Sequence, residues 1–153
     1  MRFGSEHADA SENRSGSSAM KVRLLDLPDS VCTTESTSIT RVVHDMKTCT
    51  IFLVSHPSGH QIEISFAGVI GVKILDERDF SMFWRANIEK YEELDGALVA
   101  LVQSGGWREE GEISGSYVPT GFYGEVFEYF VSGDYECVNV LCTQPPSFGV
   151  RYA

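Results

Sequence analysis

The chain has 153 residues, 42% of them hydrophobic and 22% charged, with a formal net charge of -10 and a pI near 4.7. That length suits one domain with a sizeable core rather than two, and the apolar share excludes a disordered chain. With 12 basic residues against 22 acidic ones, nucleic acid is excluded as the expected ligand, because Lys and Arg supply most of the affinity for phosphates.

Residues 1–19, rich in Ser, Gly, Asn and Glu, carry little to bury and read as a flexible leader or added extension, with a single domain expected over 20–153. No apolar run reaches the roughly 18 residues that span a bilayer, and no stretch resembles a secretory signal. A cytoplasmic protein without membrane contact is therefore expected. Cys32, Cys49, Cys137 and Cys142 form no C-x-x-C pair, which predicts reduced and mostly buried thiols.

A strand is predicted over 21–27, punctuated by Pro28-Asp29-Ser30. Segments 39–45 and 49–55, rich in β-branched and aromatic residues, predict a hairpin with its connection at Met46-Lys47-Thr48. Pro57 and Gly59 then mark a tight turn. The strand that follows alternates strictly, with Ile62, Ile64 and Phe66 on one face and Gln61, Glu63 and Ser65 on the other. Gly68 and Gly71 interrupt the apolar run in the manner of a bulge or bend, after which Val72, Ile74 and Leu75 are expected to return to the core.

Asp76 and Asp79 stand where carboxylates cap a helix start. Phe80, Phe83, Trp84, Ile88 and Tyr91 then fall at helical spacing, predicting an amphipathic helix over 79–91 that lays its apolar face on the sheet. Residues 94–102 contain the run ALVALV, apolar on both faces, and read as a central strand in preference to a short buried helix. The stretch 107–124 reads as irregular, and strands over 125–131 and 135–142 close the domain around Ser132-Gly133-Asp134. Pro145-Pro146 is expected to prevent further pairing. The predicted fold is α+β: one mostly antiparallel sheet of six or seven strands with one main helix on one face.

No P-loop, dinucleotide fingerprint or nucleophile elbow is present. His56 and His60 flank a tight turn and would need Cys49 or Glu63 to complete a metal set. Neither H-E-x-x-H nor paired C-x-x-C supports one, so no metal or other cofactor is expected. Charge is more informative. Between Glu109 and Val150 there is no Lys or Arg, while Glu109, Glu110, Glu112, Glu125, Glu128, Asp134 and Glu136 fall inside that span. Glu89, Glu92, Glu93 and Asp95 form a second cluster at the end of the predicted helix, where they oppose the macrodipole and one another. Such crowding costs stability and points to recognition of a basic protein partner.

The segments ISFAGVIGVKILDERDFSMFW (64–84), GEVFEYFV (124–131) and DYECVNVL (134–141) resemble small uncharacterised bacterial proteins, some of which resemble immunity proteins of polymorphic or contact-dependent toxin systems. The resemblance covers about residues 60–148. It implies a bacterial cytosolic α+β protein without catalysis, and it carries over no family functional residue. The expected function is thus that of a non-catalytic acidic protein neutralising a basic toxin domain, such as a nuclease. Glu89, Glu92, Glu93, Asp95, Glu109, Glu110 and Glu112 form the expected binding surface, with Trp107 and Tyr117 as aromatic anchors. The alternatives are an enzyme or small-ligand-binding protein with a pocket made by the 103–124 loop, and a homo-oligomeric module joined through a sheet edge.

Overall fold

A computed structural model of the chain describes residues 21–24, 35–76, 98–115 and 124–153. The predicted helix over 79–91, the expected binding residues Glu89, Glu92, Glu93, Asp95 and Tyr117, and the 1–19 leader lie outside the described residues. Nine strands and one helix fall inside them: β1 (Lys21–Leu24), β2 (Ser36–His44), β3 (Thr48–His56), β4 (Gln61–Ala67), β5 (Val69–Asp76), β6 (Val99–Ser104), α1 (Trp107–Ser114), β7 (Phe127–Ser132), β8 (Glu136–Cys142) and β9 (Ser147–Arg151).

The strands form two antiparallel sheets, ordered β1-β6-β7-β8-β5 and β2-β3-β4-β9. The single sheet expected from the sequence is therefore corrected to two. The chain changes sheets at a corner: β4 ends at Ala67, Gly68 takes a φ of +63°, and β5 begins in the other sheet. A Cβ at residue 68 would strike the Thr143 hydroxyl, so the close approach as well as the left-handed backbone requires glycine here.

Pro145-Pro146 also depart from the expectation that they prevent further pairing. Instead of ending the pairing, these prolines lie between β8 in the five-stranded sheet and β9 in the other. There β9 pairs with β4, Ile64 opposite Phe148 and Ile62 opposite Val150. Proline removes ladder donors only at its own position, so a strand can resume beyond it.

Alternation in β3 and β4 determines which faces meet. Ile51 and Leu53 of β3 and Ile62, Ile64 and Phe66 of β4 are buried. They pack against Val99 of β6, Tyr129 and Val131 of β7, and Val138 and Val140 of β8. The Phe66 and Tyr129 rings meet across the interface with centroids 5.7 Å apart. Outward-facing positions of β3 and β4 carry Thr50, Phe52, Glu63 and Ser65, with Arg41 of β2 stacked 4.2 Å over the Phe52 ring.

The five-stranded sheet is buried on its outer side too, through Ala100, Val102, Phe130 and Cys137. This accounts for the consecutive apolar residues Val99–Val102 in β6, Tyr129–Val131 in β7 and Val140–Cys142 in β8. Along β5 the core expectation holds in part: Val72 and Leu75 are half-buried, whereas Ile74 is 54% exposed. Ile74 lies on an edge strand, near the end where Asp76 pairs with Glu136.

Candidate functional site

The 107–124 stretch was expected to be irregular, and its first eight residues are helical. Four glycines and a serine make WREEGEIS and its flanks poor helix-forming sequence, so α1 has to be held by its ends. Gly106 in the N-cap position has an extended backbone and no side chain to offer. The cap arrives from elsewhere in the chain. Glu128, on the outer face of β7, accepts the Trp107 N–H at 3.2 Å through one carboxylate oxygen and the Arg108 N–H at 2.8 Å through the other. Asn139 of β8 donates its side-chain amide to the same carboxylate at 2.6 Å.

Glu128 is 1% exposed. Burial pushes its carboxyl above the ordinary glutamate value, against the pull of the two backbone N–H groups, Asn139 and the Arg108 guanidinium. Three donors converging on one buried carboxylate satisfy two of the helix's orphan N–H groups and stabilise its positive end. The Arg108 guanidinium in turn donates to the carbonyls of Val126 and Gln103. One buried acceptor of the cluster, Asn139 Oδ1, has no hydrogen-bond partner.

Space around this latch is tight. A Cβ at Gly106 would lie 2.5 Å from the Glu128 carboxylate and 2.6 Å from a Val102 methyl. Gly106→Ala is therefore expected to cost about 1 to 3 kcal/mol through forced displacement of the cap, measured as a lower urea midpoint with an unchanged slope. The glycine is required by proximity, since its φ of -98° is open to any residue.

The other end closes on Gly115, in the left-handed conformation, whose N–H returns to the carbonyls of Glu112 and Gly111. Glu109 folds back to accept the Gly105 N–H, much as the glutamate of a capping box does. Both Glu109 and Glu110 lie in the first turn, where the dipole favours them.

Trp107 is half-buried. Its ring lies over Gly71 of β5, with a Cβ there only 2.8 Å from the indole, and the Lys73 ammonium is 5.9 Å from the ring centroid. Glu112 is half-buried, with one carboxylate oxygen out of contact with water and without a hydrogen-bond partner. Glu110 is exposed, and Ile113 is 84% exposed. Since residues three and four apart share a helix face, Ile113 stands beside both Glu109 and Glu110.

The tip of the β2–β3 hairpin comes to the same strand as the helix. The Val69 N–H donates to the Lys47 carbonyl at 3.0 Å, two residues before the Gly71 that Trp107 covers. Next to Lys47 is Met46, 92% exposed. Asp45 closes this hairpin by accepting the N–H groups of Lys47 and Thr48, and those bonds hold its carboxyl below the usual value.

Sequence reasoning placed Glu128 in the acidic run, and it is removed from any binding surface by burial. The signal for its real role was an acid between Phe127 and Tyr129 in a strand otherwise built of large apolar residues. Ile113 was missed as well; only knowledge that 107–114 is helical sets it beside the two glutamates. Cys49 cannot join His56 in a metal set: it lies at the far end of β3, seven residues away, or roughly 23 Å at strand rise, and it is buried between the sheets. The His56 ring nitrogen lies 3.2 Å from the Ser38 hydroxyl, and the His60 ring meets Tyr152 edge-on. Among the described residues no group of three or more His, Cys, Asp or Glu is placed to hold a metal ion, and no helix is long and apolar enough to cross a membrane.

No family, curated protein or solved structure matches the chain.

Proposed function

We propose that the chain is a non-catalytic acidic binding protein of the immunity type, which neutralises a basic toxin domain, such as a nuclease, in the bacterial cytoplasm. The observation that carries this reading is the outer side of α1, where an almost fully exposed Ile113 stands beside Glu109 and Glu110. An apolar anchor with a charged rim is the anatomy of a protein-binding hot spot. The carboxylates would steer a cationic partner and Ile113 would seat in an apolar pocket on it. The Glu128 latch supports the same reading, because it presents the helix in a fixed orientation and so reduces the ordering cost of association. Glu112, Trp107 and Met46 would extend the patch, and Glu89, Glu92, Glu93, Asp95 and Tyr117, which lie outside the described residues, are proposed to take part in binding. The partner's active site is covered, so the protein needs no chemistry of its own.

The test is binding to toxin domains encoded beside this gene, measured by calorimetry at about 50 mM and about 300 mM salt, a range over which the Debye length roughly halves. Affinity is expected to fall with salt. Reversing Glu109 and Glu110 to Lys should slow association by about tenfold or more, and Ile113→Ala should weaken binding about 10- to 30-fold, mainly through faster dissociation. Failure of every neighbouring toxin domain to bind at the lower salt would overturn the reading.

A further inference from the structure

Three of the four cysteines, Cys49, Cys137 and Cys142, are buried. Cys137 faces the outer side of the five-stranded sheet with Ala100, Val102 and Phe130. Cys49 and Cys142 belong instead to the interior between the sheets, both 0% exposed, one contributed by each sheet.

The backbone brings these two to one place. Cys49 lies opposite Phe66 of β4, and Cys142 lies opposite Val69 of β5. Only Ala67 and Gly68 separate those partners, and they form the corner at which the chain changes sheets. The corner is tied on both sides. The Lys47 carbonyl accepts the Val69 N–H at 3.0 Å, and the Gly68 carbonyl accepts the Thr143 N–H at 3.1 Å. The strand end carrying Cys49 and the strand end carrying Cys142 are thus fastened to consecutive residues of a single bend. Gly68 permits that approach, because a side chain there would strike Thr143. A disulfide needs Cα atoms within about 7 Å, and two sheets stacked face to face lie about 10 Å apart. A corner at which the sheets converge is where the span shortens.

We propose that Cys49 and Cys142 form a latent cross-sheet pair, which closes to a disulfide when the chain folds in the presence of a thiol–disulfide oxidant and is then sealed in the core. With oxidised glutathione as that oxidant, one cysteine thiolate attacks its disulfide, forming a mixed disulfide and releasing one glutathione thiolate. The second cysteine thiolate then displaces the other glutathione. The new S–S bond replaces the old one, and two electrons pass from the protein thiols to glutathione, which leaves as two reduced molecules after protonation.

The timing follows from burial. In the folded chain both thiols are pushed up to about 11 by their surroundings, Cys142 with a contribution from the neighbouring Cys49. The Cys142 thiol also donates to the Gln144 carbonyl at 3.2 Å. Thiolate is the attacking species, so a folded, reduced chain is inert to the oxidant, while an open chain is not. The pair therefore records the redox condition under which the chain folded.

The test uses the full chain. One sample is unfolded in urea with reductant and refolded against a glutathione redox mixture; a second, folded and reduced, is exposed to the same mixture. Free thiols are alkylated in urea and the peptides mapped by mass spectrometry. The refolded chain is expected to lose two thiols, to yield one linked pair containing Cys49 and Cys142, to regain the far-UV circular dichroism of the reduced protein, and to unfold at higher urea concentration. The folded sample should keep both thiols at least about tenfold longer. Cys142→Ser should abolish the cross-link without diverting Cys49 to another cysteine. A link to Cys32 or Cys137, refolding to the native spectrum with no link, a linked product without the native spectrum, or equally fast closure in the folded sample would overturn the proposal.

Discussion

Replacing Glu128 by Ala is expected to destabilise the protein by about 3 to 5 kcal/mol, read as a lower urea midpoint. The carboxylate is 1% exposed and receives the Trp107 and Arg108 N–H groups and the Asn139 amide. Truncation leaves three buried donors unpaired, each costing about 1 to 3 kcal/mol if water does not reach it. Glu128→Gln should cost less. Its carbonyl oxygen keeps one N–H bond, and its amide can donate to Asn139 Oδ1, an acceptor that has no partner in the wild type. The pH dependence separates charge from hydrogen bonding. Burial raises the folded carboxyl above the ordinary value of 4.5, so between the two values the folded state binds more protons than the unfolded state. Glu128's contribution to stability is therefore fully present below pH 4.5 and is lost as pH rises through the folded value. The stability of wild type relative to Glu128→Gln should decline over that window and then level off. A relative stability that rises with pH would mean that the hydrogen bonds to the ionised form outweigh burial, and would sink this account.

Much of the strand layout was legible because local signals were strong and agreed with one another. The polar connection Met46-Lys47-Thr48, Pro57 with Gly59, and the alternation from Gln61 to Phe66 all point to antiparallel neighbours. The ladders pairing Cys49 with Phe66 and Ile51 with Ile64 follow from them. The number of sheets was not legible. A period of two says that one face is buried and leaves open whether a helix or another sheet covers it. Gly68 marked a bend in the sequence, but its consequence, a change of sheet, depends on Thr143, 75 residues further on.

The candidate site shows the same division. Glu109, Glu110 and Glu112 were visible as charge, and the composition of 107–114, with Gly111 in its middle, argued against a helix. A carboxylate more than a dozen residues downstream reversed that preference. No local rule reports a cap supplied by another strand, so the helix and the exposed Ile113 on it emerge only when β7 is set beside the end of β6, with Val102 opposite Glu128.

Phe66→Ala is expected to cost about 3 to 5 kcal/mol, comparable to the loss of the Glu128 latch but by a different route. Phe66 is 1% exposed and projects from β4 into the layer between the sheets, where its ring meets that of Tyr129. Truncation opens a cavity bounded by two rigid sheets, which cannot close around it as a flexible loop would, and the cavity adds to the lost transfer free energy. Ser65→Ala, one residue earlier and on the outward face, is the control: it gives up the hydrogen bond between the Ser65 and Thr50 hydroxyls and should cost no more than about 1 kcal/mol. The decisive measurement is a double-mutant cycle with Tyr129→Ala. Rings in contact across the interface should show a coupling of about 0.5 to 1.5 kcal/mol. If the two losses were additive, the Phe66 and Tyr129 rings would not be in contact across the interface.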